Sequence, residues 1–247
     1  MESIREMAPK VAEELTEATK KATTESRTSS CTDCGGTGWK QVELEGPRGK
    51  YMASKRCECR YEAIIQFQLP QLYHAAMLKD FPQTLRSIIT EWLDEATRPN
   101  GQPRPAGLFL CGHPGTGKTH LAASIVRRVI SMGKSIRFRR AAQLYQAIRD
   151  SYGNDSVSEA EVLADFVDAP LLVLDDLGTG SLSDHERRYT LEVLDSRLNA
   201  NRPTIITSNL TIEQIRDAMD DRIASRLNTF KLISFNGQDR RKGRKSA

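Results

Sequence analysis

The sequence predicts an α/β fold, a five-stranded parallel sheet flanked by helices. Two observations carry this. From residue 107 onward, short apolar or β-branched runs alternate with helix-length segments, the pattern of strands joined by helical crossovers. One of these runs, Leu108-Phe109-Leu110-Cys111, leads straight into Gly112-His113-Pro114-Gly115-Thr116-Gly117-Lys118-Thr119, and a helical pattern follows it. Strand, glycine-rich turn and helix in that order form a phosphate loop.

Before that domain the chain is more heterogeneous. Ala8, Val11, Leu15, Ala18 and Ala22 lie at helical spacing, with Pro9 in the first turn, so residues 8–24 read as a helix with a narrow apolar stripe, suited to docking on a partner or on its own chain. Ser26–Ser30 reads as a polar linker. Residues 31–60 form a small cysteine module, and the larger domain occupies 69–247, with 1–30 as helix and linker. Within it, a helical run over Ile88–Ala96 is broken by Asn100-Gly101-Gln102-Pro103-Arg104-Pro105. The strands expected next are Gly107–Cys111, Ser135–Arg139, Leu171–Asp175, Thr204–Thr207 and Lys231–Phe235. The helix after the loop is expected over Thr119–Ile130, with Leu121, Ile125, Val129 and Ile130 on its apolar face.

The chain has 247 residues, 36 Lys+Arg against 32 Asp+Glu, and a net charge of +4, too balanced to imply a nucleic-acid partner by itself. No stretch approaches a membrane span and the N-terminus lacks the apolar core of a signal peptide, so a cytoplasmic protein without membrane contact is expected. In that compartment disulfides are rare. Four of the five cysteines, Cys31, Cys34, Cys57 and Cys59, are paired as C-x-x-C and C-x-C, and read as a four-cysteine zinc-knuckle-like site for Zn²⁺, with disulfides or free thiols as the alternatives. His74 is read as a solvated or interface side chain rather than a ligand, and Cys111 as core packing.

The phosphate loop predicts ATP with Mg²⁺. Residues Gly112 to Thr119, with His120 directly after them, are the candidate cofactor-binding set. Lys118 places charge on the β and γ phosphates, and the Thr119 hydroxyl ligates Mg²⁺. Leu171-Leu172-Val173-Leu174-Asp175-Asp176 is an apolar strand ending in two carboxylates. Asp175 is read as the second Mg²⁺-holding group and Asp176 as the base for water attack. Thr207-Ser208-Asn209 brings polar side chains to the same sheet edge, where Asn209 either orients the attacking water or turns the chain into the helix near Thr211. Arg137-Phe138-Arg139-Arg140 suggests a nucleic-acid contact, though Phe138 and Tyr145 read as packing. The tail carries five cations between Arg240 and Lys245, which suit phosphate binding or simple solvation.

Taken together, the phosphate loop, Asp175-Asp176, Thr207-Ser208-Asn209, Asp221-Arg222-Ile223-Ala224-Ser225-Arg226-Leu227 and Gly237-Gln238-Asp239-Arg240-Arg241 resemble, in this order, the AAA+ ATPases of the DnaC/DnaI helicase-loader and IstB group. The similarity covers roughly residues 69 to 241. It implies a strand order 5-1-4-3-2, Asn209 as sensor 1, Arg226 as an arginine finger supplied in trans to a neighbouring copy, and Arg241 as sensor 2. Either arginine could instead be a surface cation, and Arg240 stands where the group usually has Tyr. The resemblance further implies self-association, a hexameric replicative helicase as partner of the N-terminal zinc segment, and a single-stranded DNA path along the helical insertion over Ala141–Glu161. Asp176, one methylene shorter than the Glu of many AAA+ proteins, implies slow hydrolysis. The reading is a helicase loader. Its rivals are an IstB-like ATPase helper of a transposase, against which the cysteine module speaks, a slow ATP-gated binding switch, and a small-molecule kinase.

Overall fold

A computed structural model describes residues 31–47, 49–98, 105, 107–152, 157–180, 182–237 and 239. The helix expected over 8–24, the linker before Cys31, Arg241 and the basic tail lie outside the described residues.

Leu108, Phe109 and Leu110 are fully buried because the strand that carries them, β3 (Gly107–Gly112), is covered on both faces. A two-period strand sends alternate side chains to opposite faces. Phe109 and Cys111 therefore join Leu172, Leu174 and Ile206 in one core, while Leu108 and Leu110 join Val173 and Ile205 in the other. Strands β5 (Leu172–Leu177) and β6 (Thr204–Ser208) are similarly double-faced, which is why they read as continuous apolar runs rather than alternations. At the two edges stand β4 (Arg137–Arg140) and β7 (Lys231–Phe235), whose charged residues keep the open sheet edges in water. The strand order is β4-β5-β6-β3-β7, and every neighbouring pair is parallel. Counted within the sheet this is 2-3-4-1-5, the expected order read from the other edge.

Helix α1 (Glu58–Gln68), α2 (Gln83–Ala96) and α3 (Lys118–Ser131) cover one face. The other carries α4 (Ala141–Ser151), α5 (Glu159–Val167), α6 (Asp184–Asn199), α7 (Ile212–Ala218) and α8 (Asp221–Leu227). Ser158, Ser183 and Thr211 cap α5, α6 and α7, each accepting a hydrogen bond from the backbone N–H three residues on.

Ahead of this core the chain forms a hairpin of β1 (Trp39–Gly46) and β2 (Gly49–Arg56), antiparallel with Trp39 opposite Arg56 and Gly46 opposite Gly49. Helix α1 follows at once, with Cys57 as its N-cap residue and Cys59 in its first turn. Its buried Ile65 joins the α3 core, and Glu62 pairs with Arg127 of α3 at 2.6 Å. The cysteine-bearing segment is thus continuous with the helix layer of the sheet.

Candidate nucleotide and metal sites

The turn after β3 has the backbone that its glycines permit. Gly112, Gly115 and Gly117 have φ of +134°, +76° and +111°, conformations that L side chains rarely adopt. Space excludes a side chain as well: a Cβ on Gly112 would meet the Phe235 carbonyl, and one on Gly115 would meet the Asp239 carboxylate. The turn feeds the N-terminus of α3, and the N-terminal end of a helix is where a phosphate is favoured.

Lys118 is buried, and its ammonium donates to Gly112 O at 2.7 Å, His113 O at 2.8 Å and Asn209 Oδ1 at 2.8 Å. Asn209 in turn donates from Nδ2 to Asp176 Oδ1 at 3.3 Å. The end of β6 is thereby tied to the phosphate loop and to the second carboxylate of β5. A parallel chain runs through the first carboxylate: Thr119 Oγ1 and Thr207 Oγ1 both donate to Asp175 Oδ1, at 2.9 and 2.7 Å. Burial pushes the Asp175 carboxyl up, the hydrogen bonds from Thr207 and Thr119 oppose that rise, and the charge of Asp176 adds to it. A hydroxyl and a carboxylate side by side are the hard oxygen donors that Mg²⁺ takes.

Asp176 differs from its neighbour. The ladder between β5 and β6 shifts register between Leu174 and Leu177, and Asp176 has φ of +62°, so the bulge turns it out of the sheet into an exposed position. Its N–H donates to Thr207 Oγ1 at 2.9 Å. One threonine hydroxyl therefore holds both carboxylate-bearing residues.

These groups face a cavity of about 700 Å³. Leu72, Tyr73, Ala75 and Ala76 form its apolar wall, from an irregular segment of two short 3₁₀ turns that carries no periodic signal in the sequence. His120 joins that wall to α3: its Nε2 lies 2.8 Å from Asp80 Oδ2, and its ring meets those of Tyr73 and Phe81. The hydrogen bond from His120, then that from the Met77 N–H, hold the Asp80 carboxyl below the usual range. Arg140, which the sequence groups with a basic run, lines the cavity opposite Asp175, its register partner on β5. The sequence reading did not assign it to the nucleotide, and strand pairing is the information it lacked.

A family model described as IstB-like ATP binding protein matches residues 102–232, more than half of the chain. The chain belongs to this IstB-like ATP-binding family. Among curated relatives, the replicative helicase loader DnaC of Escherichia coli K12 is 32% identical over 122 residues, 49% of this chain and 50% of that protein. DnaC of Buchnera aphidicola subsp. Baizongia pistaciae is 31% identical over 140 residues, 56% of this chain and 57% of its own. The chain spans about half the length of the curated relatives it matches. Among solved structures, a crystal structure of DnaI superposes with a TM-score of 0.60 at 26% identity, covering 73% of this chain and 99% of that one. A DnaC helicase loader gives 0.57 at 23%, covering 68% and 100%, and shows the shared AAA+ P-loop fold.

In this IstB-like chain the remaining predicted residues fall in two places. Arg226, on α8, lies outside the residues lining the ATP cavity and pairs with Asp195 of α6, Nε to Oδ1 at 2.7 Å and Nη2 to Oδ2 at 3.2 Å. Arg222, one turn earlier, is held by Asp220 at 2.9 Å. Two cations of the basic run at β4 share one carboxylate: Arg137 and Arg139 both reach Asp165, at 3.3 and 2.9 Å. Phe138 and Tyr145 are buried, as the packing reading had them, and Cys111 is in the core.

The four cysteines of the N-terminal module converge. Their sulfurs all lie within 4.8 Å of one another, with Cys31 Sγ 3.7 Å from Cys57 Sγ and Cys34 Sγ 3.6 Å from Cys59 Sγ. A tetrahedral ion with Zn–S bonds of about 2.3 Å spaces its ligands about 3.8 Å apart, so the cluster fits zinc. The Gly38 N–H donates to Cys34 Sγ at 3.3 Å, and the Cys57 N–H donates to Gly38 O at 2.9 Å, locking the first pair against the second. Burial raises the Cys34 thiol, but the Gly38 N–H and the thiols of Cys59 and Cys31 bring it down to about 7, whereas burial and the sulfurs of Cys57, Cys34 and Cys31 push Cys59 up. Four thiolates this close repel one another, and a bound cation offsets that repulsion. His74 stands apart, its Nε2 2.9 Å from Leu69 O. Among the described residues no helix is long and apolar enough to cross a membrane.

Proposed function

We propose that this chain is an ATP-dependent loader of a hexameric replicative helicase onto single-stranded DNA, similar to DnaC and DnaI. The observation that carries the reading is the pairing of an ATP site, in a chain 32% identical over 122 residues to a protein named replicative helicase loader, with a four-cysteine cluster at the base of an exposed hairpin. In this reading residues 112–120 hold ATP, Thr119 and Asp175 hold Mg²⁺, and Asp176, steered by Asn209, takes the proton of the attacking water. Lys118 neutralises the β and γ phosphates. Arg226 reaches the ATP of a neighbouring copy as an arginine finger, and Arg241 serves as sensor 2. Turnover is slow and rises on assembly or with single-stranded DNA. Residues 1–30 and the zinc module 31–60 grip the helicase, and 69–247 form the ATPase domain. The hairpin offers that grip apolar surface in Leu44, Tyr51 and Met52, which are 43%, 54% and 63% exposed.

The test is co-purification of zinc-loaded protein with a candidate replicative helicase and with a candidate transposase, with and without ATP, for wild type and Cys57→Ser. Helicase capture that requires Cys57 supports the loader. Transposase capture, or no helicase capture by folded protein, favours the IstB-like transposition helper, which the family match keeps as the second reading.

A further inference from the structure

Arg226 is away from the cavity of its own chain, and yet it is held in place. Asp195 grips it from the side, taking Nε at 2.7 Å and Nη2 at 3.2 Å, while Nη1 reaches the Arg222 carbonyl at 3.4 Å. A guanidinium has five N–H groups. Three are used here, which leaves one on Nη1 and one on Nη2 directed away from the chain's own carboxylate. Both terminal nitrogens thus keep a donor for a phosphate oxygen while the side chain is fixed in one rotamer.

The support behind Asp195 is rigid. It sits on α6, between Val193 and Leu194, which are buried, and Arg197, which is 1% exposed and donates to the Phe166, Val167, Ala169 and Pro203 carbonyls. Position 195 is therefore set by the core rather than by a loop. The neighbouring cation does not compete: Arg222 places Nε and Nη2 on Asp220, at 3.1 and 2.9 Å. Both members of the Asp195–Arg226 pair are about one-third exposed, at 38% and 33%, so the pair lies at the surface where a second copy can meet it.

We propose that Asp195 is a positioning residue for catalysis in trans: it orients Arg226 so that the guanidinium's two remaining terminal donors meet the γ-phosphate of ATP bound by an adjoining copy. This deepens the reading above and rests on Arg226 acting across a subunit contact. A finger that is ordered before contact loses less freedom when it engages, and a misplacement of about 1 Å at such a group costs on the order of 100-fold in rate.

The test uses mixtures of full-length chains. The acceptor is Arg226→Ala, which keeps its ATP site but lacks the finger. The donor is Lys118→Ala, which keeps the finger but loses the phosphate-loop lysine. Phosphate release is followed with and without single-stranded DNA. The expected result is that the donor restores turnover, that Lys118→Ala/Asp195→Asn restores it about 10- to 100-fold less well, and that Asp195→Glu in the donor recovers part of the loss. The same Asp195→Asn change in the acceptor, where no finger remains to be aimed, lowers the restored rate less than about twofold. A purely structural ion pair is likewise intact only in the donor, so the donor's urea midpoint is compared with and without Asp195→Asn: an unchanged midpoint beside lost restoration marks positioning, and a lowered midpoint with restoration lost in proportion would overturn the inference. Equal restoration by donors with and without Asp195 would overturn the inference while leaving Arg226 as the finger. If Lys118→Ala restores nothing, or if Arg226→Ala alone turns over normally, the trans reading itself fails and the inference with it.

Discussion

Replacing Thr207 with Val tests whether one hydroxyl organises both carboxylates of the ATP site. The side chain is 1% exposed, donates to Asp175 Oδ1 at 2.7 Å and accepts from the Asp176 N–H at 2.9 Å. Valine has nearly the same volume, so no cavity opens and the loss is one of hydrogen bonding alone. The bond to the carboxylate is worth about 1.5–3 kcal/mol and the bond from the neutral N–H about 0.5–1.5 kcal/mol. Burying a methyl in place of the hydroxyl returns up to about 0.8 kcal/mol. The expected net destabilisation is therefore about 1–4 kcal/mol. Urea unfolding of zinc-replete protein near neutral pH measures it, with Thr207→Ser, which keeps the hydroxyl, as the comparison. Hydrolysis should fall as well, because Asp175 loses a fixed partner and the bulge at Asp176 loses its anchor. A Thr207→Val protein within about 0.5 kcal/mol of wild type, or a Ser variant less stable than the Val variant, would refute the reasoning.

Gly115→Ala is expected to weaken ATP binding at least about tenfold, because its backbone is left-handed and its Cβ would displace the Asp239 carboxylate, and isothermal titration would show it. Cys57→Ser should reduce bound zinc well below one ion per chain by metal analysis and expose the hairpin to limited proteolysis, because metal binding supplies the folding energy of so small a unit. Asp176→Asn should bind ATP about as wild type does and hydrolyse it about 100-fold more slowly or worse, read by phosphate release. Acid should expose the Glu186 cap. Burial acts to raise this carboxyl, but the Ser183 N–H and hydroxyl and the Arg149 guanidinium outweigh it and leave it below its ordinary value. A carboxyl depressed in the folded state stabilises above its unfolded pKa of about 4.3, and that stability is lost as pH falls through the folded value. The gap in urea midpoint between wild type and Glu186→Gln should therefore be full near neutrality and close with acid.

The nucleotide site was legible because its chemistry is local. Gly112 to Thr119 declare the loop by spacing alone, and the apolar run before Asp175 declares a buried strand ending in acid. Strand bounds were less legible. The run expected to end at Asp175 continues to Leu177, since a bulge lets the chain turn and still pair Leu177 with Ser208. The second strand begins at Arg137 rather than Ser135, because pairing with Leu172 and not side-chain character decides where it starts. The hairpin and α1 went unread. The hairpin is mostly polar and exposed on both faces, so it shows no clean alternation, and α1 leaves Phe67 58% exposed instead of gathering its apolar residues on one side. Arg140 and the wall from Leu72 to Ala76 reach the cavity only through tertiary packing. Asp195 likewise became visible only when α6 and α8 were brought side by side.

The left-handed turn at Asp176 bears on which residues the position can hold. For most L residues that conformation costs about 1–2 kcal/mol, and Asp and Asn are the side-chain-bearing residues that visit it most readily. Of the two acids, the shorter is the one this backbone favours, so the missing methylene relative to Glu is explained by the main chain without appeal to reaction rate. Among side chains that can sit here, the acid and its amide are two that this backbone favours. Exchanging one for the other replaces a proton acceptor with a neutral group at the same place on the same bulge, so chemistry and shape can be varied here independently.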